Sequence, residues 1–140
     1  MDGIPETFPI NHDDYHAEHI GRMQDGRQFF LTTPFVPATS NQDGCEFIAL
    51  FTFDADGKFH EAQIDTLGPR ASVDRIAAKK MYEARLESLG QVTFGDIRIA
   101  PFKIERHGVE FGLIPREPED EDDEPAIELH PGNYMAFFEP

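Results

Sequence analysis

The chain has 140 residues, and its 27 Asp and Glu against 12 Lys and Arg give it a formal net charge of −15. A chain with so few cations is poorly suited to neutralising nucleic-acid phosphates or to lying on an anionic membrane surface. Its length suits one domain, and its 13 Phe supply apolar mass for a core. The composition therefore excludes nucleic acids and membranes as expected partners and favours a single domain over residues 1–140.

The N-terminal segment and the cysteine content both indicate the cytoplasm. Residues 1–6 contain no basic region and no apolar stretch follows them, so no secretory signal is expected. No run approaches the roughly 18 consecutive apolar residues that a membrane-spanning helix needs. Cys45 is the single cysteine and cannot form an internal disulfide. Because it opens an apolar run without a basic neighbour, we interpret it as a small core residue at the start of a strand.

The negative charge is distributed unevenly along the chain. Residues 1–18 contain five acids and no Lys or Arg, and residues 117–124 contain seven acids, whereas residues 19–116 hold 13 acids and 12 bases. We therefore expect a nearly neutral body, an acidic N-terminal arm over residues 1–18 and a mobile acidic loop over residues 115–125. An electrostatic function is expected in these acidic segments, and their alternative role is to keep a Phe-rich domain soluble.

Turn residues between apolar runs predict three β-hairpins. Asp25-Gly26, Asp54–Gly57 and His107-Gly108 are the turn signals, because glycine readily takes the positive φ of a tight turn. The flanking strands are expected at 20–23 and 28–33, at 47–53 and 58–64, and at 97–100 and 102–105, interrupted by Pro101, and 109–114. The run 47–53 is the most apolar, which predicts a central strand buried on both faces and paired with a more exposed return strand. Short strands are also expected within 126–129 and 134–138.

One long helix is predicted over residues 72–89. Ser72 is the expected N-cap, Asp74 lies in the first turn, and Gly90 is suited to ending the helix. Two apolar stripes follow the helical period. The first, expected to face the sheet, consists of Ala78, Tyr82, Leu86 and Leu89. The second, which is either exposed or in contact with a loop or another chain, consists of Val73, Ala77, Met81 and Ala84.

The order of these elements predicts an α+β fold. Hairpins with a single helix between them are typical of an antiparallel sheet that carries one main helix, here about 72–89, packed on one face.

The segment from His12 to His19 is the strongest candidate for a ligand site. Its imidazoles and carboxylates are common zinc ligands, and histidines four residues apart share a helical face. The candidate ligands are His12, Asp14, His16 and His19. Against a metal site, no helix is indicated here and no HExxH pattern is present. A metal- or small-ligand-binding module is therefore the alternative function, and a polar arm is the competing interpretation of this segment.

No catalytic triad, P-loop or dinucleotide fingerprint is apparent, so we expect neither an enzyme nor a cofactor. Residues 54–57 superficially resemble the start of a calcium loop. If Gly57 held the sixth position, however, Thr52 and Gln63 would hold the first and twelfth, where carboxylates are required. A hairpin turn is the better interpretation. His60 and His107 are expected to be surface residues, because no carboxylate can be paired with either.

Several turn and strand motifs occur in a recognisable order. They are His12, His19–Arg22, Asp25–Phe30, Phe53–Gly57, Gly95–Ile97, Pro101-Phe102 and Gly108–Leu113. This pattern, from about residue 8 to 114, resembles a family of small bacterial proteins, some of which are labelled formate hydrogenlyase regulatory protein. The resemblance implies a small cytoplasmic protein that modulates a transcription activator by protein contact. It implies no catalytic residues.

The main expectation is a non-enzymatic cytoplasmic regulatory protein that contacts a basic or mixed-charge protein. Candidate contact residues in the acidic loop are Glu119, Asp120, Glu121, Asp122 and Asp123, and those near the C-terminus are Tyr134, Phe137 and Phe138. The C-terminal residues carry more apolar mass than a free terminus should expose, so they form a strand or a docking edge. An acidic nucleic-acid mimic is disfavoured because the body is nearly neutral. The sequence leaves the partner and the oligomeric state open.

Overall fold

A computed structural model describes residues 6–12, 18–37, 39–40, 44–116, 126–131 and 135–137. The elements in chain order are β1 (Phe8–Ile10), β2 (His19–Met23), β3 (Gln28–Thr32), β4 (Phe35–Val36), β5 (Cys45–Phe53), β6 (Phe59–Gly68), a short 3-10 helix (Arg70–Ser72), α1 (Arg75–Glu87), β7 (Val92–Phe94), β8 (Ile97–Ile99), β9 (Phe102–Arg106), β10 (Val109–Arg116), β11 (Ala126–His130) and β12 (Met135–Phe137). All strand pairs are antiparallel. The predicted α+β class is confirmed.

The largest sheet runs in the order β6-β5-β3-β2-β7, and β4 pairs with β5 beyond the end of β3. Its strands come from the first two predicted hairpins, which are both confirmed. Gly26 and Gly57 take φ of 91° and 95° at the two turns. In the second turn the Asp54 carboxylate accepts hydrogen bonds from the backbone N–H groups of Asp56 and Lys58, both 2.9 Å long. This carboxylate serves the turn, as the hairpin interpretation predicted.

The third predicted hairpin is present as β9 and β10. β9 pairs with β10 around His107 and Gly108, whose φ values of 54° and 71° are both positive, as in a type I′ turn. Residues 97–99, expected as the stretch before the interruption at Pro101, form the separate strand β8 and pair with β1. Pro101 lies between β8 and β9, and it cannot donate a ladder hydrogen bond, so the chain changes sheets there.

The central strand β5 is buried on both faces, as predicted. On one face, Phe47, Ala49, Phe51 and Phe53 pack into the larger core with residues of the smaller sheets, β1-β8 and β9–β12. On the other face, Ile48 and Leu50 join Phe29 and Leu31 beneath α1. Alternate residues of a strand point to opposite faces, so one apolar run serves both cores. The return strand β6 is more exposed than β5.

Part of the predicted acidic arm belongs to the fold. Phe8 and Ile10 are fully buried, and β1 pairs with β8, where Pro9 lies opposite Arg98, 89 positions along the chain. At the other end, Pro115 and Arg116 of the predicted acidic loop are the last residues of β10 and pair with β11. The C-terminal strands expected within 126–129 and 134–138 are present as β11 and β12.

The helix is shorter than the predicted range, and the expected cap is wrong. Ser72 lies in the 3-10 helix, where its hydroxyl donates to the carbonyl of Pro69. Val73 and Asp74 remain extended, so α1 begins at Arg75, and the Asp74 carboxylate accepts from the N–H groups of Ile76 and Ala77. A carboxylate at the N-cap satisfies N–H groups that have no partner within the helix.

The first apolar stripe of the helix faces the sheet as predicted. Tyr82, Leu86 and Leu89 pack against the smaller core formed with β3 and β5. The second stripe is largely solvent-exposed, and Met81 retains 37% of its accessible surface. Among the residues described, no helix is long and apolar enough to cross a membrane.

Candidate functional site

An exposed aromatic residue marks the β7 edge of the largest sheet. Phe94 pairs with Gly21 of β2 and retains 46% of its surface, although β7 itself was not predicted as a strand. A Cβ at Gly21 would overlap the carbonyl of Thr93, so the glycine lets β7 approach β2 closely. The Phe94 ring meets Phe29 edge-on, with 6.2 Å between centroids. Phe94 is therefore anchored on one side and open to solvent on the other.

Two imidazoles lie beside this ring. The centroids of His19 and His12 lie 5.5 and 6.3 Å from that of Phe94. The backbone N–H of His12 donates to Oδ1 of Asp96 at 2.7 Å, and its ring Nε2 is 2.8 Å from the carbonyl oxygen of Glu18. A carbonyl oxygen only accepts, so Nε2 of His12 carries the proton. These contacts hold the imidazole of His12 in a defined orientation over Phe94.

His19 connects the cluster to the helix. Its Nδ1 is 2.5 Å from the hydroxyl of Tyr82, whose oxygen is also 3.5 Å from the carbonyl of Leu31. The other ring nitrogen of His19 is 3.9 Å from the Glu18 carboxylate. Burial raises the pKa of Tyr82, and the nearby charge of Glu18 raises it further. Tyr82 is therefore a neutral hydroxyl that links β2 to α1. We use the name Phe94 cluster for His12, His19, Tyr82 and Phe94.

The predicted metal ligands are only partly described. His12 and His19 meet at Phe94, and each has one ring nitrogen in a hydrogen bond. Asp14 and His16 lie outside the described residues. Within the described part of the chain, no group of three or more His, Cys, Asp or Glu side chains is arranged to hold a metal ion. The metal site stays a prediction.

The predicted partner contacts are also mostly outside the described residues. These are Glu119, Asp120, Glu121, Asp122, Asp123, Tyr134 and Phe138. Phe137 ends β12, and only its strand pairing is described.

Two further histidines, His60 and His107, and the cysteine occupy the predicted types of position. His60 and His107 are exposed. Nε2 of His107 contacts the carbonyl of Ile64 at 3.2 Å. Cys45 begins β5, and its half-buried thiol is 3.4 Å from the hydroxyl of Thr66.

An open groove of about 420 Å³ borders the same edge strand. It is lined by Arg22, Met23, Gln24, Gln91, Val92 and Thr93. Across it the amide of Gln24 donates to that of Gln91 at 2.7 Å. The groove and Phe94 together form a surface along β2 and β7 whose lining residues include no carboxylate. The missed signal was the uncharged run Gln91–Gly95, which contains three strand-favouring residues.

No protein-family model matches the chain, and neither a curated protein nor a solved structure matches it. The resemblance to the formate hydrogenlyase regulatory family therefore stays a prediction based on motifs. Functional inference depends on the geometry of the Phe94 cluster and on the distribution of charge.

Proposed function

We propose that this chain is a non-enzymatic regulatory protein of the cytoplasm that acts through protein–protein contact, with Phe94 as a central contact residue. The observation that carries the proposal is the 46% exposure of Phe94 on an edge strand. Aromatic residues are enriched in protein interfaces and often contribute a large share of the binding energy.

The setting of Phe94 favours binding because the ring is already held in place. Phe29 supports one side, and the rings of His12 and His19 lie around it. Binding a partner would then immobilise little additional side-chain freedom, which is a substantial part of the free-energy cost of association.

The charge distribution supports a basic or mixed-charge regulatory partner. Residues 1–18 and 117–124 together hold twelve acids and no Lys or Arg. Acidic segments on a nearly neutral body accelerate encounter with a basic partner and orient it, while a desolvated apolar contact slows dissociation. The motif resemblance to formate hydrogenlyase regulatory proteins agrees with this class of function.

Site-specific photo-crosslinking tests the contact. A benzophenone amino acid replaces Phe94 in the full chain, and its control replaces His60, which is exposed on β6 at the opposite side of the sheet. We expect light-dependent adducts in cells from position 94 and none from position 60. Equal labelling from both positions, or no adduct from position 94, would contradict the proposed contact surface.

The regulatory role needs a second measurement. Any protein other than this chain that is joined to position 94 is identified by mass spectrometry, purified, and assayed for its own activity with and without this chain. We expect wild-type chain to change that activity and F94A to have a weaker effect at equal concentration. If the activity of the partner does not change when this chain is added, the contact at Phe94 would stand, but the regulatory role would be contradicted.

A further inference from the structure

On the outer edge of β7, backbone N–H and C=O groups have no hydrogen-bond partner among the described residues. The N–H of Gly95 donates to the carbonyl of Ile20 at 3.0 Å, which makes these two residues a hydrogen-bonded pair. Because such pairs alternate along an antiparallel ladder, Thr93 points its backbone groups toward β2, whereas Val92 and Phe94 point theirs away. No hydrogen bond within the described residues uses these outward groups.

This edge lacks the charges that normally keep edge strands apart. The run Gln91–Gly95 contains no charged residue, although the chain as a whole has a net charge of −15. The opposite edge strand, β6, carries Glu61 and Asp65, and Ile64 accepts a hydrogen bond from His107 there. Natural sheets protect their edges with charge, and an uncharged edge is a template for adding another strand.

The register of β7 is self-complementary. If two β7 strands pair antiparallel about a twofold axis at Thr93, Val92 of each copy lies opposite Phe94 of the other. Both outward-facing residues of each strand are then hydrogen-bonded. An axis at Val92 or at Phe94 would pair only one residue of each β7. Of these three registers, the one centred on Thr93 is therefore the one that gives hydrogen-bond partners to the outward backbone groups of both Val92 and Phe94.

The side chains suit this register on both faces of the joined sheet. Cross-strand partners lie on the same face, so Phe94 covers Val92 of the second copy on the face that carries α1, where Val92 already packs against the smaller core. On the other face the exposed Thr93 of each copy meets its equivalent, and Thr–Thr is a favourable cross-strand pair. The open groove beside Arg22 and Gln91 continues the same surface.

From this geometry we infer that the protein contacted at Phe94 is a second copy of this chain, joined through its β7 strand about a twofold axis at Thr93. The inference rests on the proposed contact function and names its partner at this surface. The acidic segments remain available to a different partner. A twofold arrangement uses the same patch on both copies, which is the commonest symmetry of soluble oligomers.

A cysteine at the axis tests the register directly. Opposed residues of a non-hydrogen-bonded antiparallel pair have Cα atoms about 4.5 Å apart, within the range that a disulfide spans. Thr93→Cys is made in a Cys45→Ser chain, and Thr66→Cys, exposed on β6, is the matched control. We expect T93C to form a covalent dimer at least about tenfold faster than T66C under mild oxidation, because the pairing holds the thiols within disulfide distance. Equal rates would overturn the inference.

Charge pairs at the same position provide a second readout. Light scattering after gel filtration should show the wild-type mass rising from 15.9 kDa toward twice that value as concentration increases. Thr93→Lys and Thr93→Glu should each be monomeric, because like charges then face each other across the axis, and an equimolar mixture should recover the dimer. Circular dichroism checks that both variants fold. A wild-type chain that stays monomeric, or a mixture that does not dimerise, would overturn the twofold pairing.

The crosslinking experiment separates this inference from the proposed function. A position-94 adduct that consists of two copies of this chain supports Phe94 as a contact residue and the second-copy assignment, and the basic or mixed-charge regulatory partner is then expected at the acidic segments. An adduct with a different protein alone keeps the contact function and overturns the second-copy assignment. The absence of any adduct contradicts the contact function itself.

Discussion

His19 and Tyr82 are joined by a hydrogen bond of 2.5 Å that ties strand β2, the neighbour of the edge strand β7, to the helix α1. The two residues are 63 positions apart in the chain. Because α1 has no fully buried residue, this polar link adds to a rather small apolar contact with the sheet. The same imidazole lies against Phe94, so the link also fixes the support of the candidate contact surface.

Removal of the Tyr82 hydroxyl should loosen the helix. We expect Tyr82→Phe to lower the free energy of unfolding by about 1 kcal/mol, because a partly buried imidazole nitrogen and the Leu31 carbonyl both lose a partner. Urea unfolding measures the change. A double-mutant cycle with His19→Phe, which keeps a ring beside Phe94, isolates the pair. Strictly additive effects would show that the two side chains are not coupled.

Tyr82 should also make stability sensitive to alkaline pH. Burial raises the pKa of this hydroxyl above its ordinary value of 10.0, so the folded state holds the phenolic proton more tightly than the unfolded state. The resulting stabilisation is complete below pH 10 and is lost as the pH rises from there toward the folded-state pKa, with a slope of up to about 1.4 kcal/mol per pH unit. The difference in unfolding free energy between wild type and Y82F should therefore shrink above pH 10. A difference that stays constant would contradict the raised pKa.

Glu46 should make the free energy of unfolding sensitive to acidic pH. Hydrogen bonds from Arg75 at 2.7 and 2.8 Å, together with one from Arg70, lower the pKa of this carboxyl, and its side chain is only 12% exposed. We expect Glu46→Gln to lower stability by about 1 kcal/mol at neutral pH. Because the folded-state pKa is lowered, this contribution is present above the ordinary pKa of 4.5 and disappears as the pH falls through the folded value.

The matched control for Glu46 is an exposed ion pair. Glu110 lies 3.8 Å from Lys103, and both side chains are more than half exposed. Glu110→Gln should leave the urea midpoint nearly unchanged, since exposed pairs contribute little. If E110Q and E46Q were equally destabilising, the role assigned to the two arginines would be wrong.

Local signals in the sequence were sufficient to predict the first two hairpins but not the short strands β1 and β7 at the edges of the sheets. Asp-Gly turns and the apolar run at 47–53 report structure formed by near neighbours, and they predicted β2, β3, β5 and β6. By contrast, β1 and β7 have three residues each and are defined by partners far along the chain. The Phe94 cluster depends on such long-range pairing, so neither the exposure of Phe94 nor the contact between His19 and Tyr82 could be predicted from sequence spacing.

Gly57 should be the least replaceable of the turn glycines. Its φ is +95°, and an added Cβ would lie 2.5 Å from the carbonyl oxygen of Arg98, the middle residue of β8, whose neighbours Ile97 and Ile99 are buried. We expect Gly57→Ala to lower stability by at least about 2 kcal/mol, because backbone strain and a clash act together. Gly26, at φ +91°, has only the Ala55 side chain within 4 Å. Gly26→Ala should therefore cost about 1 kcal/mol, from strain alone. Equal losses in the two variants would show that the close approach to β8 is unimportant.

Gln28 should hold β8 against the main sheet. The residue is 1% exposed, and its side-chain amide donates to the carbonyls of Arg98 and Asp54 and accepts from the N–H of Arg98 at 2.7 Å. Gln28→Leu keeps the volume but leaves these backbone groups unsatisfied, so we expect a loss of about 2 kcal/mol. Gln24→Leu, on the exposed turn side of β2, should change stability by less than about 0.5 kcal/mol. Hydrogen exchange at the Arg98 amide provides the local readout. It should accelerate in Q28L and stay unchanged in Q24L, and equal protection in Q28L would mean that another group satisfies β8.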